Sequence, residues 1–129
     1  MREGRRSIPA GGMPYGTLVV APPLLLALVN GKPARLVALD LATHQVRWER
    51  TAEREWTTMK PLAHDGAVIA GTEEKTLCAF ALADGATRWC TPVPQIPRGL
   101  GTAGGMLYVG TLNGKVLAYR IRTGDGRGI

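Results

Sequence analysis

One thirteen-residue phrase returns three times in this chain at nearly constant spacing. It reads Leu-Val-Ala-Leu-Asp-Leu-Ala-Thr-His-Gln-Val-Arg-Trp over residues 36–48 and Leu-Cys-Ala-Phe-Ala-Leu-Ala-Asp-Gly-Ala-Thr-Arg-Trp over residues 77–89. A degraded third copy, Val-Leu-Ala-Tyr-Arg-Ile-Arg-Thr-Gly-Asp-Gly-Arg-Gly, fills residues 116–128. The central alanines, Ala38, Ala79 and Ala118, stand 41 and 39 residues apart. Such a period restricts the chain to architectures in which one small unit packs on copies of itself.

Within each copy, apolar residues occupy both alternating rows. Leu77, Ala79 and Ala81 point one way, and Cys78, Phe80 and Leu82 the other. Such a strand is expected to be buried on both faces, as in a sheet stacked between two others. A turn follows. Gly85 and Gly124 fall where the backbone needs positive φ, and His44 stands in the same column. A second strand leads to Trp48 or Trp89, so the phrase predicts a β-hairpin with tryptophan at its far end.

Upstream, residues 66–72 match residues 105–111, and Asn113-Gly114-Lys115 repeats Asn30-Gly31-Lys32. Asn-Gly predicts a two-residue hairpin turn, with Pro33, Ala34 and Arg35 as a short insertion in the first copy. A further extended segment precedes each of these strands. The unit is thus four short strands in about 40 residues, the pattern of a propeller blade.

The pattern Ala-x-Asp-x-x-Thr-Gly-x-x-x-Trp resembles the repeat of pyrroloquinoline-quinone-type (PQQ-like) β-propellers. The first copy keeps Ala38, Asp40, Thr43 and Trp48, the second Ala79, Gly85 and Trp89, and the third Ala118, Thr123 and Gly124. His44 replaces the first glycine; Ala81 and Asp84 replace aspartate and threonine in the second copy; Arg120 and Gly128 replace aspartate and tryptophan in the third. No Trp-Asp or Gly-His signature of WD40 repeats occurs. The expected fold is all-β, a partial β-propeller of about three four-stranded antiparallel blades. They span residues 15–52, 53–94 and 95–129, the last blade incomplete, behind a flexible basic arm at residues 1–14. In this family the tryptophan docks on the neighbouring blade, so the resemblance implies structural roles for Trp48 and Trp89.

The 129 residues are 45% hydrophobic with 17 Gly and 9 Pro, which suits a turn-rich all-β chain. Propellers close with roughly four to eight blades. Three blades leave two apolar faces to cover. Three arrangements cover them: a piece of a longer propeller, an arc capped by another protein, or a homo-oligomeric ring. The net charge is +6, partly from Arg2, Arg5 and Arg6. The other basic residues are dispersed and not interleaved with aromatics, which argues against nucleic-acid binding. A charged start before the apolar residues 18–29 has the outline of a signal peptide, and a basic arm can touch an acidic membrane. Pro22 and Pro23 interrupt that run, no Ala-x-Ala follows, and the first two strands account for it.

Cys78 and Cys90 are the only cysteines. Counting outward from the turn places them almost opposite each other on adjacent strands. A disulfide stapling the blade and a pair of small buried residues are both open readings. His44 and His64 fall in turns and lack metal-ligand spacing. The glycine-rich residues 101–105 lack a phosphate-loop lysine and read as a strand connection. Trp56 lies outside the phrase, a candidate surface contact.

The resemblance implies three roles: scaffold subunits of outer-membrane assembly, sensor domains of bacterial kinases, and quinoprotein dehydrogenases. Dehydrogenases of this kind use an acidic base, calcium-binding carboxylates and, in many members, adjacent cysteines. Here Asp40, Asp65, Asp84 and Asp125 fall at turns or in the repeat, and no Cys-Cys pair exists. No catalytic, metal or cofactor-binding residue is therefore assigned, and no cofactor is expected. The expected function is a non-catalytic scaffold for protein binding or sensing, whose partner is a protein or further propeller blades. A piece of a PQQ-dependent dehydrogenase and a self-associating ring unit are the alternatives.

Overall fold

The computed structural model describes residues 13–121, and no helix occurs among them. The first sheet contains β1 (Met13–Ala21), β2 (Leu24–Asn30), β3 (Ala34–Asp40) and β4 (Val46–Ala52). The second contains β5 (Leu62–His64), β6 (Ala67–Thr72), β7 (Thr76–Ala81) and β8 (Thr87–Pro92). The third contains β9 (Pro97–Ala103), β10 (Met106–Thr111) and β11 (Val116–Arg120). Every strand pairs antiparallel with its sequence neighbour, the meander of a propeller blade. Met13 and Pro14, expected in the basic arm, belong to β1. The rest of that arm, Gly124 and the residues expected for a fourth strand of the last sheet lie outside the described residues.

Each hairpin type has its own turn chemistry. First and second strands are joined in two residues. Asp65-Gly66 and Gly104-Gly105 there have positive φ at both positions, the geometry whose twist matches the flanking strands. Second and third strands are joined in three. The two-residue Asn-Gly turn expected at Asn113-Gly114 is not formed: Thr111 N–H bonds to Lys115 O at 2.8 Å, leaving residues 112–114 as the loop. Thr111 Oγ1 accepts the Lys115 N–H at 3.1 Å and closes this wider turn. Asn30 ends β2 rather than forming a turn, because its amide is engaged with Trp56.

Third and fourth strands are joined by residues 41–44 and 82–85, closed by Asp40 N–H to Gln45 O and Ala81 N–H to Ala86 O, both 2.8 Å. His44 (φ 62°) and Gly85 (φ 77°) occupy the left-handed position at the end of these loops. A bulge then shifts the register, so that Ala38 faces Trp48 while Leu39 faces Val46. The second sheet repeats it, with Ala79 opposite Trp89 and Phe80 opposite Thr87. The extra residue is Arg47 or Arg88. The tryptophan is therefore the third residue of its strand and not its far end. The bulge puts the large indole and the small alanine on the same face, where they pack as a cross-strand pair.

Three apolar clusters result among the described residues: one in each junction between sheets, and a small third of Ala27, Val29 and Val37 on the other face of the first sheet. Leu26, Leu28, Leu36, Ala38 and Trp48 meet Val68, Ala70 and Phe80 in the first. Ile69, Leu77, Ala79 and Trp89 meet Leu107, Val109 and Leu100 in the second. β5 touches both β1 and β9, so the first strands of the three sheets converge on a common inner edge. The linker from the first sheet to the second is also ordered by bonding. Thr57 N–H bonds to Gly71 O at 3.0 Å, and Met59 N–H reaches Arg98 O of the third sheet at 2.8 Å.

Candidate functional site

The repeat residues do not converge on one centre; they build the junctions between sheets. Ala38 and Trp48 face the second sheet, Ala79 and Trp89 face the third, and Ala118 is exposed. Trp48 Nε1–H donates to Leu82 O of the next sheet at 2.8 Å. Its ring lies against Gly85, where a Cβ would stand 2.6 Å from Trp48 Cδ2. Arg50 Nε–H donates to the Gly85 carbonyl beside it. Gly85 thus answers to two demands, positive φ and an indole resting on its Cα.

Asp40 holds its own turn. Its Oδ1 accepts the N–H groups of Ala42 (2.7 Å) and Thr43 (3.0 Å), and its Oδ2 accepts from Arg47 at 2.9 Å. The Thr43 amide, the Arg47 guanidinium and the Ala42 amide together hold its carboxyl below the usual carboxylate range. In the second copy, where alanine replaces this aspartate, Asp84 Oδ1 accepts the Ala86 N–H at 3.0 Å. Thr43 Oγ1 takes the equivalent Gln45 N–H at 3.3 Å.

Cys78 and Cys90 are directly opposite on β7 and β8, and their sulfur atoms are bonded at 2.11 Å. Cys90 is exposed and Cys78 half-buried, so they are not a pair of core residues. His44 sits in a turn and His64 ends β5. Among the described residues no three His, Cys, Asp or Glu side chains gather as a metal site.

Trp56, a candidate surface contact by sequence, is buried. Its indole N–H donates to Arg35 O at 2.9 Å, and its main-chain N–H to Asn30 Oδ1 at 2.8 Å. Pattern reading missed it because its environment comes from the Asn30 loop and from Thr72, with which it forms an isolated bridge. It helps enclose a cavity of about 270 Å³ between the first two sheets, with Phe80, Ala70 and Cys78 in the wall. Glu53, Glu74 and Thr72 line it as well.

Comparison with known proteins gives one family and a consistent fold. The family model described as outer membrane protein assembly factor BamB matches residues 6–128. No curated protein sequence matches. Among solved structures, BamB from Moraxella catarrhalis superposes with a TM-score of 0.72 at 18% identity, over 93% of this chain and 37% of that one. A europium-containing methanol dehydrogenase superposes at 0.68 and 16% identity, over 92% of this chain and 26% of that one. The computationally designed Ika4 protein superposes at 0.62 and 12% identity, over 93% of this chain and 100% of that one. The chain therefore spans about a third of the natural propellers it resembles and the whole of a designed one. Likeness at these identities establishes a partial β-propeller fold and leaves the chemistry to the residues.

Proposed function

Because the chain belongs to the family of the outer membrane protein assembly factor BamB, we propose that it is a non-catalytic propeller scaffold that binds protein partners during outer-membrane protein assembly. The observation that supports this best is the use made of the repeat residues. Trp48, Gly85 and Asp40 are each committed to a turn or to the junction between sheets. Their hydrogen bonds and contacts stiffen the stack, and the connecting loops are presented on that rigid base.

The methanol dehydrogenase likeness makes quinone chemistry the reading to test against. The purified chain is titrated with pyrroloquinoline quinone and calcium or europium ions in a calorimeter, and assayed for dye reduction with methanol. The scaffold reading expects no saturable heat and no turnover. It expects chemical cross-linking to a small, reproducible set of outer-membrane assembly proteins. Quinone binding with turnover, or cross-linking without partner preference, would overturn it.

A further inference from the structure

The cavity between the first two sheets combines features that the repeat itself does not need. Its wall is aromatic and rigid: Trp56 and Phe80 are both buried, and Trp56 is pinned at its indole N–H and its main-chain N–H. Glu53 and Glu74 line the same cavity, are exposed, and have no side-chain hydrogen bond or ion pair among the described residues. The adjacent Glu73 is paired with Arg54 at 3.6 Å, so the neutralising arginine is already engaged. The Thr72 hydroxyl, buried beside them, accepts only a 3.4 Å bond from Glu74 N–H and retains a lone pair. In a chain of net charge +6, this places unpaired negative charge over an apolar wall.

An anion would be repelled here, and a neutral apolar group would leave the carboxylates unused. An organic cation on an alkyl stem satisfies both parts. Aromatic faces attract cations, carboxylates give charge-assisted hydrogen bonds to ammonium or guanidinium groups, and the stem of lysine or arginine packs on apolar surface. The volume of about 270 Å³ is below the roughly 300–1,000 Å³ of drug-sized sites and suits a single side chain. Beside the cavity runs β4, the edge strand of its sheet, whose Thr51 and Ala52 line the opening. An edge strand offers its main chain to an extended segment, and a neighbouring cavity then selects one side chain of that segment.

We propose that an extended basic segment of a partner protein pairs with β4 and inserts one arginine or lysine side chain between Glu53 and Glu74. This deepens the scaffold reading and rests on it. The test uses three probes followed by tryptophan emission and calorimetry: a capped Thr-Val-Arg-Val-Thr peptide, the same peptide with citrulline for arginine, and capped arginine alone. The arginine peptide is expected to bind about tenfold more tightly than either of the others, the ratio one desolvated cation contact supplies. The double variant E53Q/E74Q, altered only at exposed positions, is expected to abolish that preference while unfolding at the same urea concentration as the parent. Equal affinity for arginine and citrulline peptides, or an unchanged preference in E53Q/E74Q, would refute the cation site. Capped arginine binding as tightly as the peptide would refute the strand partner and mark a site for free organic cations. Partner cross-linking that persists in E53Q/E74Q, with no peptide bound, would overturn this site and leave the scaffold reading intact.

Discussion

Gly85→Ala tests the packing of the junction most directly. At φ 77° a side chain pays the left-handed penalty, about 1–2 kcal/mol. The new Cβ also meets Trp48 Cδ2 and Cε3 at 2.6 Å. The indole has little room to retreat, because its N–H is tied to Leu82 O at 2.8 Å. Overpacking of this kind costs about 1–3 kcal/mol, so the whole substitution should cost about 2–5 kcal/mol. Gly104→Ala is the control: its φ is 58°, but nothing lies within 4 Å of its Cβ, so only the backbone penalty applies. Urea unfolding followed by tryptophan emission gives both values. A Gly85→Ala/Trp48→Leu double variant should recover part of the loss through a coupling of about 1 kcal/mol or more. If Gly85→Ala and Gly104→Ala cost the same within about 0.5 kcal/mol, or the cycle shows no coupling, the indole-on-glycine argument is wrong.

Asp40→Asn should shift the acid side of the stability profile. The carboxyl is held low in the fold, so its contribution is present above its ordinary value of about 3.8 and is lost as pH falls through the lower folded value. Urea midpoints of parent and Asp40→Asn should therefore differ near neutrality and converge in strong acid; a constant gap would contradict the assignment. Reduction of the Cys78–Cys90 bond, which spans a sequence separation of 12, should lower stability by about 2–4 kcal/mol. A Cys78→Ala/Cys90→Ala variant should be indifferent to reductant in the same assay. Asn30→Ala removes both amide contacts to the Trp56 main chain and should cost about 1–3 kcal/mol, with faster amide exchange across residues 53–58 as the local signature.

Most of the architecture was legible in the sequence because a repeat repeats its geometry. The spacing of Ala38, Ala79 and Ala118 gave the blades, and the His44 and Gly85 column gave the left-handed turn position. What escaped was decided across the junctions. A bulge at Arg47 changes which side chain faces alanine, yet leaves no mark in a hydrophobic pattern. Asn30 looked like a turn residue because its neighbour is glycine; the partner that claims its amide is 26 residues away. The cavity was equally hidden. Its walls come from the end of β4, the linker and β6–β7, and period alone says which residues face inward but not what they meet.

The column of alanines has a geometric corollary. Ala38 and Ala79 each face the later sheet and not the earlier one, so both junctions have the same sense. The two ends of the arc are consequently unlike: Tyr108, Val116 and Ala118 are exposed on one side, whereas Ala27, Val29 and Val37 on the other are buried. Joining such ends is a head-to-tail operation with no two-fold axis. Head-to-tail contacts either return on themselves as a ring or run on as a filament. Polarity at the level of one small residue thus sets the permitted symmetry of anything assembled from these units.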